Sequence, residues 1–176
     1  MSAYLRDLRA RVGTTRLLLP SVTGVVRDDE GRLLLVRQRD GGIWSTPGGA
    51  IEPDDIPADA VVREVWEETG LLVTPVRVVG IYAGPEFVVR YPNGDETQYV
   101  STIFWCLVRS GVLQADGQET TAARYWTVEE ARKLPLAAWL TRMLPLLFDS
   151  PPSDAWFEPP RWAPPGSSLA RTRPSA

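Results

Sequence analysis

The chain has 176 residues, of which 44% are hydrophobic and 23% charged, and its formal net charge is -3. This length suits one domain, and the 19 basic residues form no concentrated patch of the kind that binds polymeric nucleic acid. There is no histidine, which excludes histidine-based acid–base catalysis and histidine-ligated zinc. Any enzyme chemistry must therefore use carboxylates, either to move protons or to hold a cation that prefers oxygen ligands.

The N-terminal segment predicts a short helix and carries no targeting signal. Leu5, Leu8 and Val12 recur at helical spacing, so we place an amphipathic helix in a separate segment, residues 1–14. The opening residues lack the basic and then apolar layout of a signal peptide, and no run of eighteen apolar residues occurs. We therefore predict a cytoplasmic protein with no membrane partner.

The main domain, residues 15–148, is predicted to begin with strands. Residues 17–26 and 32–38 are rich in leucine and valine and flank turn-forming residues, which predicts a hairpin. Residues 43–51 predict one short strand that runs into a loop, because a proline and two glycines interrupt it.

A bounded helix follows these strands. Pro57 suits the first helical turn and Gly70 suits the position just past a helix end, so residues 57–69 are predicted to be helical. The later elements are predicted as strands at 71–82, 86–91, 98–108 and 123–127 and helical segments around 129–131 and 136–148. This mixed order indicates an α/β fold of the α+β or three-layer kind, not a doubly wound sheet.

The C-terminal tail, residues 149–176, is rich in proline and poor in aliphatic residues, so we expect it to add nothing to the core. A partly ordered surface tail is the simplest expectation. Its aromatics allow an alternative, docking against the domain or against a partner subunit in a homodimer; they are Trp156, Phe157 and Trp162.

Three carboxylates share one face of the predicted helix. At 100° per residue, Glu64, Glu67 and Glu68 fall within an arc of about 100° beside an apolar arc that suits packing on a sheet. Like charges four residues apart repel, and a helix C-terminus disfavours acids. A solvated acidic face, with Arg63 and Glu67 as an ordinary pair, is one interpretation. A platform for a divalent cation is the other.

The surrounding spacing resembles the Nudix box, G-x5-E-x7-R-E-U-x-E-E-x-G-U with U aliphatic, from Gly49 to Leu71. One position departs from it, because Asp55 stands where the box has its first glutamate and is shorter by one methylene. Eight matched positions at a given start have a chance probability on the order of 10⁻⁸. The order of strands extends the resemblance across about residues 17–148.

The resemblance implies an α/β/α sandwich with a mixed sheet and a hydrolase that cleaves a diphosphate bond by metal-assisted attack of water. Mg²⁺ is the implied ion, and Mn²⁺ is an alternative. The implied metal-binding residues are Gly48 (through its carbonyl, or that of Gly49), Asp55, Glu64, Glu67 and Glu68. Because the side chain of Asp55 is shorter than that of glutamate, we expect weaker affinity for a second ion.

Proton transfer and positioning need further groups. Arg63 is expected to hold a box carboxylate in a bidentate pair. The family takes the proton from water with a box glutamate or with one from a later loop, so Glu64, Glu67 and Glu119 are the candidates here. Glu119 equally fits a solvated loop acid.

Residues outside the box must determine the substrate. Trp44, Glu86 and Arg90 are candidates for contacting a nucleotide, although a strand aromatic is usually core and both charged residues suit the surface. Pro85, fifteen residues after Gly70, resembles a proline found downstream of the box in ADP-ribose pyrophosphatases, and it equally fits a strand break.

Three functions remain open, each with a small nucleotide-like diphosphate as partner. The first is hydrolysis of a nucleoside triphosphate or modified nucleotide, as in MutT-like enzymes. The second is hydrolysis of ADP-ribose or a nucleotide sugar. The third is a catalytically weak domain that binds a nucleotide as a sensor, which the intact carboxylates at Glu64, Glu67 and Glu68 disfavour.

Overall fold

The computed structural model describes residues 3–148 and Ala155, so the predicted tail lies almost entirely outside the described residues. Within residues 3–148, no helix is long and apolar enough to cross a membrane. The helices are α1 (Ala3–Val12), α2 (Pro57–Thr69), α3 (Val128–Ala131) and α4 (Ala138–Phe148). The strands are β1 (Leu17–Val26), β2 (Leu33–Gln38), β3 (Trp44–Ser45), β4 (Gly48–Ala50), β5 (Leu71–Tyr82), β6 (Val88–Arg90), β7 (Glu96–Gly111) and β8 (Thr120–Trp126), and a 3-10 turn spans Pro85–Phe87.

The strands form two sheets. The larger sheet has the order β4-β1-β7-β5, with β6 also paired to β7, and the smaller has the order β3-β2-β8. Strands β1 and β7 run parallel over ten residue pairs, whereas the other ladders are antiparallel. The larger sheet is therefore mixed.

The predicted hairpin of β1 and β2 is wrong. Strand β1 pairs with β7 along its whole length on one edge and with β4 at residues 21–23 on the other. Strand β2 pairs instead with β3 and β8, and one bridge, Arg27 to Leu33, joins the two segments. Residues 43–51 likewise form two short strands in different sheets, not the one predicted.

Side chains along the strands alternate between two cores, as the pleat of a strand requires. On one side, Val25 of β1 and Ile103 of β7 pack with α4. On the other side, Val22 and Phe104 pack with α2. Strand β2 divides its leucines in the same way between the two cores. The sheets thus lie between α2 and α4, which confirms the three-layer α/β/α arrangement.

The helix ends follow from local chemistry. Pro57 opens α2, and Gly70 closes it in the left-handed conformation with a φ of 69°. Helix α1 is fastened to β7 by Arg9, which donates to the Glu96 carbonyl at 2.6 Å and to Thr97 Oγ1 at 2.9 Å. The structure therefore confirms the helices predicted within residues 1–14 and at 57–69. The domain boundaries at residues 14 and 148 stay a prediction.

Candidate active site at the carboxylate helix

Helix α2 lies directly on β1 and faces the turn that enters β4. A Cβ added to Gly24 of β1 would come within 2.6 Å of Val65 Cγ2, so the helix and strand are in close contact. Strand β4 pairs with β1 through Gly48 and Gly49. This packing brings the carboxylates on α2 against the two glycines.

Backbone contacts require glycine at position 48, and the Glu64 carboxylate lies close to Gly49. Gly48 has a φ of 155°, and a Cβ there would lie 2.3 Å from the Val22 carbonyl oxygen. A Cβ on Gly49 would lie 2.5 Å from Glu64 Oε2. Since neither distance can be met without displacing backbone or carboxylate, the two glycines make the space in which the backbone meets the carboxylates of α2.

Glu68 is a buried carboxylate with a relative exposure of 5%. The Gly48 N–H donates to Glu68 Oε2 at 2.9 Å, and Gln38 Nε2 donates to Oε1 at 3.4 Å. Burial raises the pKa of Glu68 to about 8, and the charges of Glu64 and Glu119 act in the same direction. Both donors are neutral, so the negative charge of Glu68 has no cation beside it among these contacts.

Arg63 joins the other acids of the box. It donates to Glu64 Oε1 at 2.7 Å, to Asp55 Oδ2 at 3.1 Å and to Glu67 Oε2 at 3.3 Å. Glu64 is largely buried, and burial raises its pKa despite the neighbouring guanidinium, whereas Glu67 is exposed. Arg63 thus brings together three residues that are up to twelve positions apart in the chain.

The loop before β8 reaches the same site. Thr120 Oγ1 lies 3.2 Å from the carbonyl oxygen of Glu68, which ties the loop to the last turn of α2. The charge of Glu119 helps to raise the pKa of both Glu64 and Glu68. The structure therefore places Glu119 within electrostatic range of the carboxylates on α2.

The donor set fits a hard divalent cation. Carboxylate oxygens are the ligands that Mg²⁺ and Mn²⁺ prefer. The Arg63 guanidinium contacts three carboxylates here, those of Asp55, Glu64 and Glu67, while Glu68 accepts from the neutral Gly48 N–H. Within residues 3–148, no three acidic, cysteine or histidine side chains already converge as a metal cage. The fit consequently rests on the chemistry of the donors and on the burial of Glu68, whose ionised form has no cation beside it among the described contacts.

The three residues predicted to contact the substrate each contact another side chain of the protein. Trp44 is 8% exposed and packs edge-to-face on Trp126, with ring centroids 5.1 Å apart. Glu86 Oε1 accepts from Arg142 at 2.5 Å, and Arg90 Nε donates to Glu96 at 2.7 Å. None of these described contacts joins the three to the carboxylates of α2, so nucleotide binding by them stays a prediction. Pro85 opens the 3-10 turn between β5 and β6.

Gln38 belongs to the site although no sequence motif identifies it. This residue lies at the end of β2, where the register with β8 shifts, and its amide contacts Glu68 from the smaller sheet. Such irregularities in a strand often redirect a side chain beside a site. No local pattern could have revealed the contact, because thirty residues separate the two partners.

Arg63→Lys should lower kcat/KM by about 10- to 100-fold, because lysine keeps the charge but cannot reach three carboxylates at once. The fold should persist, since Arg63 is partly exposed and lies at the edge of the core. Steady-state kinetics with thermal unfolding as the companion measurement check this. Unchanged kinetics would remove Arg63 from its positioning role.

The metal-free protein should lose stability as pH rises from about 5 to about 8. The pKa of Glu68 is raised in the fold from 4.5 to about 8, so the bound proton favours folding. This contribution is complete below the unfolded pKa and is lost as pH rises through the folded pKa, a change on the order of 5 kcal/mol. Urea unfolding in chelator measures it. Glu68→Gln should remove most of this slope, and an equal slope in that variant would contradict the assignment.

Comparison with known proteins gives matches across most of the chain. The family model of the NUDIX domain matches residues 17–147. A MutT-like protein of Streptomyces ambofaciens is 35% identical over 127 residues, which cover 72% of this chain and 75% of the relative. An ADP-ribose pyrophosphatase of Methanocaldococcus jannaschii is 32% identical over 116 residues, 65% of this chain and 64% of the relative.

Solved structures give the same fold. The crystal structure of an ADP-ribose pyrophosphatase from Streptococcus suis aligns with a TM-score of 0.63 at 27% identity, covering 79% of this chain and 96% of that one. The chain spans three quarters of the length of the first sequence relative and just under two thirds of the second. The matches agree in family and differ in the substrates that their names carry.

Proposed function

This chain belongs to the NUDIX domain family, and from that premise we propose that it hydrolyses a diphosphate bond in a nucleoside diphosphate derivative with the help of Mg²⁺. Mn²⁺ is an alternative ion. The proposed substrate is a nucleoside triphosphate or a modified nucleotide of the MutT-like kind. The site assigned to this reaction is the carboxylate face of α2 and the Gly48–Gly49 turn.

The observation that carries the proposal is the burial of Glu68 beside other carboxylates. Its two hydrogen bonds come from neutral donors, and its neighbour Glu64 is also largely buried. Buried carboxylates need compensating charge, and the single guanidinium of Arg63 is shared by three other acids. A divalent cation is the group that would offset this surplus.

Glu64, Glu67 and Glu68, with Asp55 and the Gly48 carbonyl, are the groups that would hold the cation. When bound, it would neutralise diphosphate oxygens, orient the phosphorus and make a nearby water more acidic. Arg63 keeps Glu64 and Glu67 in place through two hydrogen bonds. The two glycines keep Glu64 and Glu68 close to the backbone of β4.

The reaction needs a group that accepts the proton from the attacking water, and a carboxylate can do this. The water oxygen forms a bond to one phosphorus, the bond from that phosphorus to the bridging oxygen breaks, and the other phosphate leaves with the bridging oxygen. The proton lost by water goes to a carboxylate, for which Glu119, Glu64 and Glu67 are the candidates. Glu119 is the one among them that Arg63 does not hold in the described contacts.

A second substrate class deserves a direct test because two of the matched proteins carry it in their names. The Methanocaldococcus jannaschii relative and the Streptococcus suis structure are both ADP-ribose pyrophosphatases. Pro85, fifteen residues after Gly70, fits the same alternative. ADP-ribose or a nucleotide sugar is therefore the second candidate.

Phosphate-release and product assays over a substrate panel test these alternatives. The panel contains nucleoside triphosphates, oxidised nucleotides, ADP-ribose, NADH, dinucleoside polyphosphates and nucleotide sugars, each with Mg²⁺ and with Mn²⁺. Preference for triphosphates supports the proposal, and preference for ADP-ribose or a nucleotide sugar supports the second candidate. Nucleotide binding without hydrolysis across the whole panel would contradict both and favour a sensor.

A further inference from the structure

Asp116 organises the loop that carries Glu119. Its Oδ1 accepts from the Thr120 N–H at 2.8 Å and lies 2.8 Å from Thr120 Oγ1, while its Oδ2 accepts from the Glu119 N–H at 3.0 Å. The Gln118 N–H also donates to this carboxylate, and together the backbone donors lower the pKa of Asp116 although its partial burial opposes this. One side chain thus fixes the backbone on both sides of Glu119.

A second set of contacts holds the same loop from β2. The Arg39 N–H donates to the Glu119 carbonyl at 2.9 Å, and Arg39 Nε donates to the Gln118 carbonyl at 2.6 Å. The guanidinium also donates to the Gly117 carbonyl. The main chain at Glu119 is therefore held through both its N–H and its carbonyl.

The loop is also attached to the helix that bears the carboxylates. Thr120 is fully buried, and its single hydroxyl proton lies between two acceptors, Asp116 Oδ1 at 2.8 Å and the Glu68 carbonyl oxygen at 3.2 Å. Earlier in the loop, the Gln114 N–H donates to the Thr69 carbonyl at 2.9 Å. These bonds fix the loop relative to the last turn of α2, where Glu68 lies.

We propose that Asp116 is a positioning residue, which holds the main chain of residues 118–120 at the last turn of α2 so that the Glu119 carboxylate can receive the proton from water there. This inference rests on the proposed function. Asp116 has its oxygens on backbone donors, so it acts through Glu119 and does not itself touch the reacting atoms. The contacts of Thr120 with the Glu68 carbonyl and of Gln114 with the Thr69 carbonyl agree with that placement.

Asp116→Asn is the sharpest variant. The amide keeps one acceptor oxygen but sets an N–H₂ group in place of the other, which cannot accept from the backbone. We expect kcat to fall by about 10- to 100-fold while KM changes by less than about threefold, because a misplaced proton acceptor affects the reaction more than binding.

Asp28→Asn is the matched control. Asp28 also closes a turn, accepting from the Arg32 N–H at 2.8 Å and from Arg32 Nε at 2.7 Å, but it lies between β1 and β2 and contacts no carboxylate of the site. It should change thermal stability and leave kcat unchanged. A similar fall in kcat for both variants would overturn the inference, because it would reflect general loosening of turns.

A double-mutant cycle tests whether Asp116 acts through Glu119. Glu119→Gln should lower kcat, and adding Asp116→Asn to that variant should produce no further loss. Multiplicative losses would overturn the inference. A wild-type kcat for Glu119→Gln would overturn it too, while leaving diphosphate hydrolysis itself to be judged from the substrate panel.

Amide hydrogen exchange in the metal-free protein gives a readout that does not depend on activity. Asp116→Asn should lower the protection of the backbone amides of residues 118–120 by at least about tenfold, since their common acceptor is impaired. The amides of β7 should keep their protection. Unchanged protection at residues 118–120 would overturn the positioning role even if no substrate were found.

Discussion

Replacing Glu68 with glutamine is expected to reduce kcat by about three orders of magnitude while leaving the fold intact. Glutamine is nearly the same size, and its carbonyl oxygen can still accept from the Gly48 N–H. The substitution removes the negative charge that would attract a divalent cation. Turnover on the preferred substrate, with circular dichroism and thermal unfolding on the same samples, measures both parts of the prediction.

Glu129→Gln provides the control for this variant. Glu129 is an exposed glutamate in the first turn of α3, away from the carboxylates of α2. Its replacement should leave turnover within about twofold of the wild type, as is usual for surface substitutions. Near-normal turnover of Glu68→Gln would remove Glu68 from the metal site, and an equal loss in Glu129→Gln would show that the effect is not specific.

Gly48→Ala is expected to lower the free energy of unfolding by about 3 kcal/mol and to abolish activity. The new methyl group would lie 2.3 Å from the Val22 carbonyl oxygen and 2.9 Å from Thr23 Cα. Both neighbours belong to the backbone of the central strand β1 and cannot move without breaking the ladder with β4. The N–H that holds Glu68 would shift with it. Urea unfolding and turnover measure the two effects.

Gly13→Ala separates this clash from the general cost of replacing a glycine. Gly13 has a φ of 61°, but a Cβ there would meet no heavy atom within 4 Å. Its replacement should cost about 1 kcal/mol through backbone strain and leave activity unchanged. If the two variants lose equal stability, the contact with Val22 is not what requires glycine at position 48.

The sequence predicts the carboxylate helix well because its signals are local. Pro57 and Gly70 determine both ends of α2, and the 3.6-residue period places Glu64 and Glu68 on one side. The burial of Glu68 could not be predicted from local sequence signals. It depends on Gly48 and Gln38, which arrive from two different sheets.

Strand pairing explains the main error in the predicted fold. Turn-forming residues between two apolar strands usually indicate a hairpin, and the turn at Asp28 does form. The parallel pairing of β1 with β7 joins residues about eighty positions apart, however, and no local pattern indicates it. This long-range pairing places β1 in the larger sheet, whereas β2 pairs with β3 and β8 in the smaller one.

The position of the loop around Glu119 could not be predicted from the local sequence either. Its sequence identifies an acid in a turn, and by itself such an acid is usually solvated. The anchors that bring the loop to α2 come from Arg39 and from Thr120, whose partner Glu68 is 52 residues away. Tertiary contacts, not composition, distinguish Glu119 from other surface acids.

Mn²⁺ binding followed by electron paramagnetic resonance tests the central claim most directly, because it asks whether the carboxylates of α2 bind a divalent cation. The wild-type protein should bind Mn²⁺, Mg²⁺ should compete, and Glu68→Gln should weaken binding by at least about tenfold. Glu129→Gln should bind like the wild type. Equal Mn²⁺ affinity in the wild type and in Glu68→Gln would contradict the assignment of this helix as the metal platform.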